Sequence, residues 1–186
     1  MKIILASQSP RRRELFSLIT RDFECAVAPV DERSVSSADA EDLCVALARL
    51  KCAAVAANMP QNAVVGCDTA VQIESRILGK PRSKDEAREM ISLLSGKTHS
   101  VYTGVCIGHL QNFNSFFCRT DVSLFRIPTE AIEEYISTPE PYDKAGAYGI
   151  QGWMAKYIDR LDGDYFNVMG LPLSRVYAAL KGEKFV

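Results

Sequence analysis

KIILASQSPRRRELF, residues 2–16, passes from a short apolar run through a polar knot into a charged segment that carries Leu15, Phe16 and, just beyond, Ile19 on one helical face. The first part reads as a buried strand and the last as a helix. Ser9 is placed to cap that helix, and Pro10 suits its first turn, where a missing N–H costs nothing. A strand running straight into a helix points to an α/β fold. The junction itself is chemically ambiguous. Unpaired N–H groups at a helix start attract anions, Ser7 and Ser9 add hydroxyls, and Arg11 or Arg12 can fork onto phosphate oxygens. It also reads as a basic contact for nucleic acid, or as an ordinary capped helix with solvated arginines. Arg13 complicates the count, because three successive residues cannot all face one pocket.

The alternation continues outward. FECAVAPV (23–30) reads as a strand, and 40–58 as a long helix with Leu43, Leu47, Leu50 and Ala54 inward, ended by Pro60. NAVVGCDTAVQI (62–73) is a second buried strand, leading through Glu74–Arg76 into a hairpin with ILGKP. A helix at 84–95 is closed by Gly96. Segments 98–109 and 115–126 form a long hairpin around QNFN, and a helix follows at 128–138. After a glycine-rich loop at 143–152, strands at 154–161 and 164–169 meet at the tight-turn pair Asp162-Gly163, and a last helix starts near Pro172. The hairpins make the sheet mixed rather than purely parallel. With no repeat or linker, residues 1–186 form one domain.

Net charge is −1, from 22 basic and 23 acidic side chains. That balance argues against affinity built on neutralising many phosphates of a polynucleotide, so no stable nucleic-acid partner is expected. No apolar run approaches the roughly 18 residues of a membrane span, and IILA is too short for a signal-peptide core. None of the six cysteines forms C-x-x-C, and they read as reduced core residues of a cytoplasmic protein. His99 and His109 have no partner at zinc spacing.

Several residues can carry chemistry. Asp68 ends an apolar run in VVGCDTA, where strand propensity disfavours it and burial demands a partner, either a cation or a metal. Asp31 and Glu32 follow a strand-like run and read as Mg²⁺ ligands or as exposed loop acids. Lys80, Lys144 and Gln151 sit among glycines that let backbone approach a ligand closely. Lys51 is by itself a solvated helical lysine. DRLDGD lacks calcium-loop spacing, and no P-loop occurs. An anion-ready loop, two acidic sites and several lysines together match a metal-dependent phosphoanhydride enzyme.

LASQSPRRRELF, VDE, VGCDTAV, GKP, LSGKTHSVYTGV, EPYDKAGAYGIQG and DGDYFNVMGLPLS, in that order, resemble the Maf family of nucleoside triphosphate pyrophosphatases, whose older name refers to inhibition of septum formation. The resemblance implies a mixed, elongated twisted sheet flanked by helices, in two lobes around a central cleft, similar to inosine triphosphate pyrophosphatases. It implies a homodimer, and a divalent cation, Mg²⁺ or Mn²⁺, as cofactor. It implies hydrolysis of a nucleoside triphosphate to monophosphate and pyrophosphate. Asp68 would be the catalytic acid/base residue and Glu32 a metal-associated carboxylate. Ser7, Ser9, Arg11, Arg12, Lys51 and Lys80 would line the phosphate path. Arg12, Thr69 and Gln151, with the intact DKAGAYGIQG, resemble the branch that prefers dTTP and UTP over 7-methyl-GTP. Cys67, Trp153 and Met154 depart from the smaller residues common in relatives. A pyrophosphatase for modified nucleotides, and a non-catalytic binding regulator of cell division, are the competing expectations.

Overall fold

The structure, a computed structural model, describes residues 2–186. In chain order the elements are β1 (Ile3–Ala6), α1 (Pro10–Phe16), β2 (Phe23–Cys25), α2 (Ala40–Asn58), β3 (Ala63–Ile73), β4 (Arg76–Leu78) and α3 (Lys84–Leu94). They continue with β5 (Thr98–His109), β6 (Asn112–Leu124), α4 (Thr129–Tyr135), β7 (Ile158–Asp162), α5 (Tyr165–Val168) and α6 (Leu173–Gly182). The strands form one mixed sheet in the order β2-β1-β3-β5-β6-β7, with β4 on the outer edge of β3. β1 runs parallel to β2 and β3, whereas the β3, β5, β6, β7 series is antiparallel. The expected mixed sheet flanked by helices is present. No helix of the described residues is long and apolar enough to cross a membrane.

The long strands β3, β5 and β6 run through two hydrophobic cores. One core gathers Leu15, Phe16, Val65, Val105, Leu171 and Leu180. The other gathers Ile91, Leu94, Val122, Tyr135, Ile136 and Met154 around the far half of the sheet. Between them the outer edge of β3 is broken. β1 pairs with it from Ala63 to Gly66, and β4 takes it up again only at Val71. Cys67 to Ala70 therefore have no strand neighbour on that side. The break is where the two lobes part.

Helix α2 packs on the sheet through a face that leucine spacing does not reveal. Its buried residues are Ala40, Cys44, Leu47, Ala48, Cys52 and Val55, while Leu43, Leu50 and Ala54 are only partly buried. The reason lies in the strands. A Cβ at Gly66 would stand 2.8 Å from the Cys52 Cβ, and one at Gly104 would lie 2.5 Å from the Val45 nitrogen and closer still to the Cys44 carbonyl. Small residues on both sides let helix and strand backbones meet, which a larger side chain forbids.

Other expectations fail for identifiable reasons. The strand expected at 23–30 ends at Cys25, because only β1 pairs with it and β1 is four residues long. Segment 164–169 is a helical turn, not a strand: Asp164 caps it by accepting from the Phe166 N–H, and Asn167 is buried. Residues Trp153–Tyr157 form a 3₁₀ turn, so the strand before it starts only at Ile158. The β5–β6 hairpin turns at Leu110-Gln111, both with positive φ, so residues 112–114 of the expected QNFN connection already belong to β6. All six cysteines are free, but Cys25 is exposed rather than in the core.

The seat of α2 can be tested directly. Gly104→Ala is expected to destabilise the protein by about 2–3 kcal/mol, as overpacking against an immovable backbone does. Urea unfolding checks it, and a change below about 0.5 kcal/mol, the scale of a neutral surface substitution, would contradict the close contact.

Candidate active site

The cleft forms at the break in the outer edge of β3. Strand alternation sends even-numbered side chains of β3 toward α2 and odd-numbered ones to the opposite face. Asp68 therefore points at α2, where Lys51 stands one turn beyond Ala48. The Lys51 ammonium lies 2.5 Å from Asp68 Oδ1 and 3.1 Å from Glu32 Oε1. One cation thus holds two carboxylates that are far apart in sequence. Lys51 and Asp68 are mostly buried, with side chains 20% and 15% exposed, whereas Glu32 is 54% exposed at the rim. Glu32 opens a short 3₁₀ turn capped by Asp31, whose side chain accepts from the Arg33 N–H and which itself stays outside the cleft.

On the other face, α1 begins as its residues dictate: Ser9 accepts from the Arg12 N–H and Pro10 follows in the first turn. Arg11 reaches across the cleft to Asp143, 3.2 Å away. Arg12 turns inward. Its Nε donates to the Gly170 carbonyl (2.7 Å), Nη1 to the Cys67 carbonyl (2.9 Å) and Nη2 to the Thr69 hydroxyl (2.9 Å).

The second lobe contributes two loops. Lys80 and Arg82 follow β4 and, among the described residues, pair with no carboxylate through their side chains. Lys144 donates to Asp143 and to the Glu140 carbonyl, both at 2.6 Å. Burial works against the charge of Asp143, but Lys144 and then Arg11 outweigh it and hold its carboxyl below the usual range. The Glu140 carboxylate accepts from the Trp153 N–H and lies under Gly152, where a Cβ would collide with it. That contact folds the loop so that Gln151 faces the cleft, exposed.

The result is a cleft of about 790 Å³, within the range of small-molecule sites. Among the described residues its lining carries six basic side chains against four acidic ones. Apolar surface comes from Leu43, Leu47, Ile77, Val101, Ile150 and Met169. Such a wall suits a flat ring, and the basic rim suits a polyanion. The nearby thiols are no nucleophiles. Burial and then the Asp68 charge push Cys44 up to about 12, and burial pushes Cys67 up to about 11.

Of the residues singled out in the sequence, Ser9, Arg11, Arg12, Glu32, Lys51, Asp68, Thr69, Lys80, Lys144 and Gln151 all line this cleft. Ser7 does not. It is buried, its hydroxyl accepts from the Ser9 N–H, and it borders a separate shallow depression beside Cys25. Sequence reading missed Arg82, although it stands two residues after Lys80, and it missed Glu140, whose task is visible only once the loop closes over it.

The geometry agrees with the comparisons. The profile of the family described as Maf-like protein matches residues 2–183. This chain belongs to that family. A dTTP/UTP pyrophosphatase of Bacillus cereus is 47% identical over 180 residues, which is 97% of this chain and 94% of that protein. One of Bacillus anthracis is 48% identical with the same coverage. The Ham1 protein of Staphylococcus aureus superposes with a TM-score of 0.55 at 14% identity, over 99% of this chain and 100% of its own. That likeness shows a shared fold. The expected mixed α/β fold therefore holds.

One wall of the cleft carries a titration that reports on folding. Tyr148 lines it, and its hydroxyl shares a 2.6 Å hydrogen bond with the Nε2 of buried His99. Burial lowers His99 from 6.5 to about 4, against a weaker upward pull from Asp121. Between those values the unfolded chain takes up a proton that the native state refuses, so stability falls as pH drops from 6.5 toward 4. The loss approaches the order of 3 kcal/mol. Urea unfolding at several pH values is expected to show a shallower acid slope for His99→Gln than for the wild type. Equal slopes would assign the titration to another group.

Proposed function

We propose that this chain hydrolyses nucleoside triphosphates, with dTTP and UTP preferred, to the nucleoside monophosphate and pyrophosphate. The observation that carries the reading is the Lys51 ammonium held between Asp68 and Glu32 at the head of a cleft with a basic rim. The relatives named dTTP/UTP pyrophosphatase support the choice of substrate. Free cations at Lys80 and Arg82, with Arg11 and Lys144 opposite, give a triphosphate charge-assisted donors from both lobes, each contributing on the order of 1.5–3 kcal/mol.

Water attacks the α-phosphorus in line with the departing pyrophosphate. Asp68 accepts the proton of that water, and the basic rim stabilises the negative charge that gathers on the leaving group. Lys51 keeps the Asp68 carboxylate aimed. Gln151 and the apolar wall take the base.

The donor set suits a divalent cation. Asp68 and Glu32 already converge on one cationic atom, and no group of three or more potential ligands occurs among the described residues. Two carboxylates plus phosphate and water oxygens are the usual surroundings of Mg²⁺ or Mn²⁺. Asp68 and Glu32 would hold it, and bound there it would supply Lewis-acid stabilisation of charge on the phosphates. Assembly as a homodimer, a cytoplasmic location and work without a nucleic-acid partner belong to the same reading.

Hydrolysis in ¹⁸O-water separates this chemistry from its neighbours. The label is expected in the monophosphate, with unlabelled pyrophosphate as the co-product. Label in pyrophosphate, or orthophosphate as first product, would place the cleavage at a different bond. Asp68→Asn is expected to lower kcat by about a hundredfold or more, the usual loss of a general base. Near wild-type release of pyrophosphate by that variant would remove Asp68 from the role.

A further inference from the structure

Arg12 stands in the cleft, yet each of its three guanidinium nitrogens donates to the protein. Two of its bonds bracket Asp68, one to the Cys67 carbonyl and one to the Thr69 hydroxyl. Both acceptors lie in the stretch of β3 that neither β1 nor β4 pairs. The third bond ties this stretch to the Gly170 carbonyl, at the end of the turn that follows α5. The Thr69 hydroxyl is 3.0 Å from that of Thr103, its cross-strand partner on β5, and Thr103 donates to the Asn167 carbonyl at 2.9 Å.

The direction of this chain is determined. A guanidinium only donates and a carbonyl only accepts, so the hydrogens run from Arg12 to Thr69, from Thr69 to Thr103 and from Thr103 to Asn167. Thr103 and Asn167 are fully buried, and Asn167 also donates to the Val101 carbonyl and the Thr120 hydroxyl. Aligned hydrogen bonds in a low-dielectric interior strengthen one another.

We propose that Arg12 is a positioning residue: it holds the Cys67 carbonyl before Asp68 and the Thr69 hydroxyl after it, and the Thr69–Thr103–Asn167 chain holds Arg12 to that task. This rests on the reading of Asp68 as the proton acceptor. Arg12 replaces the missing strand neighbour, and with a bond from each guanidinium nitrogen to the protein it acts on the reaction through Asp68 for every nucleotide alike.

Thr103 gives the test, because it does not line the cleft and cannot touch substrate. Steady-state kinetics with dTTP, UTP, dCTP and GTP would be compared for the wild type, Thr103→Val, Thr103→Ser, Arg12→Lys and the Arg12→Lys/Thr103→Val double variant. Thr103→Val is expected to lower kcat about tenfold for each nucleotide with KM within about twofold, as misplacement of a catalytic group does. Thr103→Ser keeps the hydroxyl and is expected to stay within about twofold of wild type, which separates the hydrogen bond from packing. Arg12→Lys reaches one acceptor at a time and should lose about a hundredfold in kcat. The double variant should be no worse, because the two residues act as one unit. Wild-type kcat in Thr103→Val, or a loss in Arg12→Lys confined to KM or to one base, overturns the proposal. If Asp68→Asn is inactive and Thr103→Val is not, only this inference falls; if Asp68→Asn is fully active, both readings fall.

Discussion

Helix α2 lies against the sheet at backbone contact, and the rest of the site depends on that approach. Gly66 and Gly104 leave no room between strand and helix for even a methyl group. Ala48, Cys44 and Cys52 answer them from the helix side, each fully buried. At an ordinary helix–sheet spacing, the ammonium of a lysine at position 51 would stand farther from Asp68. At this spacing its ammonium stops at Asp68. The catalytic-looking pair is therefore a product of packing: two glycines on neighbouring strands decide which atoms meet.

The cleft follows from a second constraint, the interrupted edge of β3. A strand edge that lacks a neighbour leaves peptide groups to be satisfied in some other way. Here a side chain enters the break: Arg12 takes the Cys67 carbonyl. On the other face, Lys51 offsets the cost of burying Asp68, because a half-buried carboxylate without a partner is strongly unfavourable. Glu32 shares the same ammonium from the rim, where water already reduces its cost. Charge at the base of the cleft is thus internally paired, while Lys80 and Arg82 at its far side, among the described residues, are not.

Much of this was legible in residues 2–16, 62–73 and 142–152, where strand–loop–helix order, an aspartate at the end of an apolar run and a glycine-rich loop marked the lining. The helix boundaries held because Ser9, Pro10, Ser83 and Gly96 act locally. What failed was non-local. Leucine spacing caught Leu47 but misplaced the rest of the buried face of α2, because that face is set by Gly66 on β3 and Gly104 on β5. DGDYFNV looked like a returning strand, but Asp164 caps a turn there and Asn167 finds its partners on β5 and β6. The bonds of Arg12 were not legible either, since nothing nearby in sequence announces the Cys67, Thr69 and Gly170 acceptors. Nor was the place of Ser7, whose hydroxyl serves the loop.

The two lobes are joined by ladders and not by linkers. β3, β5 and β6 run unbroken past the cleft, with β3 and β5 paired from Val64 to Gln72 and β5 and β6 paired along their whole length. Hinge closure normally concentrates its rotation in a few loop residues, whereas these halves also share continuous paired strands. Swinging one lobe against the other would have to shear rows of hydrogen bonds at once. The spacing of the two lobes is accordingly tied to the sheet itself, while the loops on the rims of the gap lie outside those ladders.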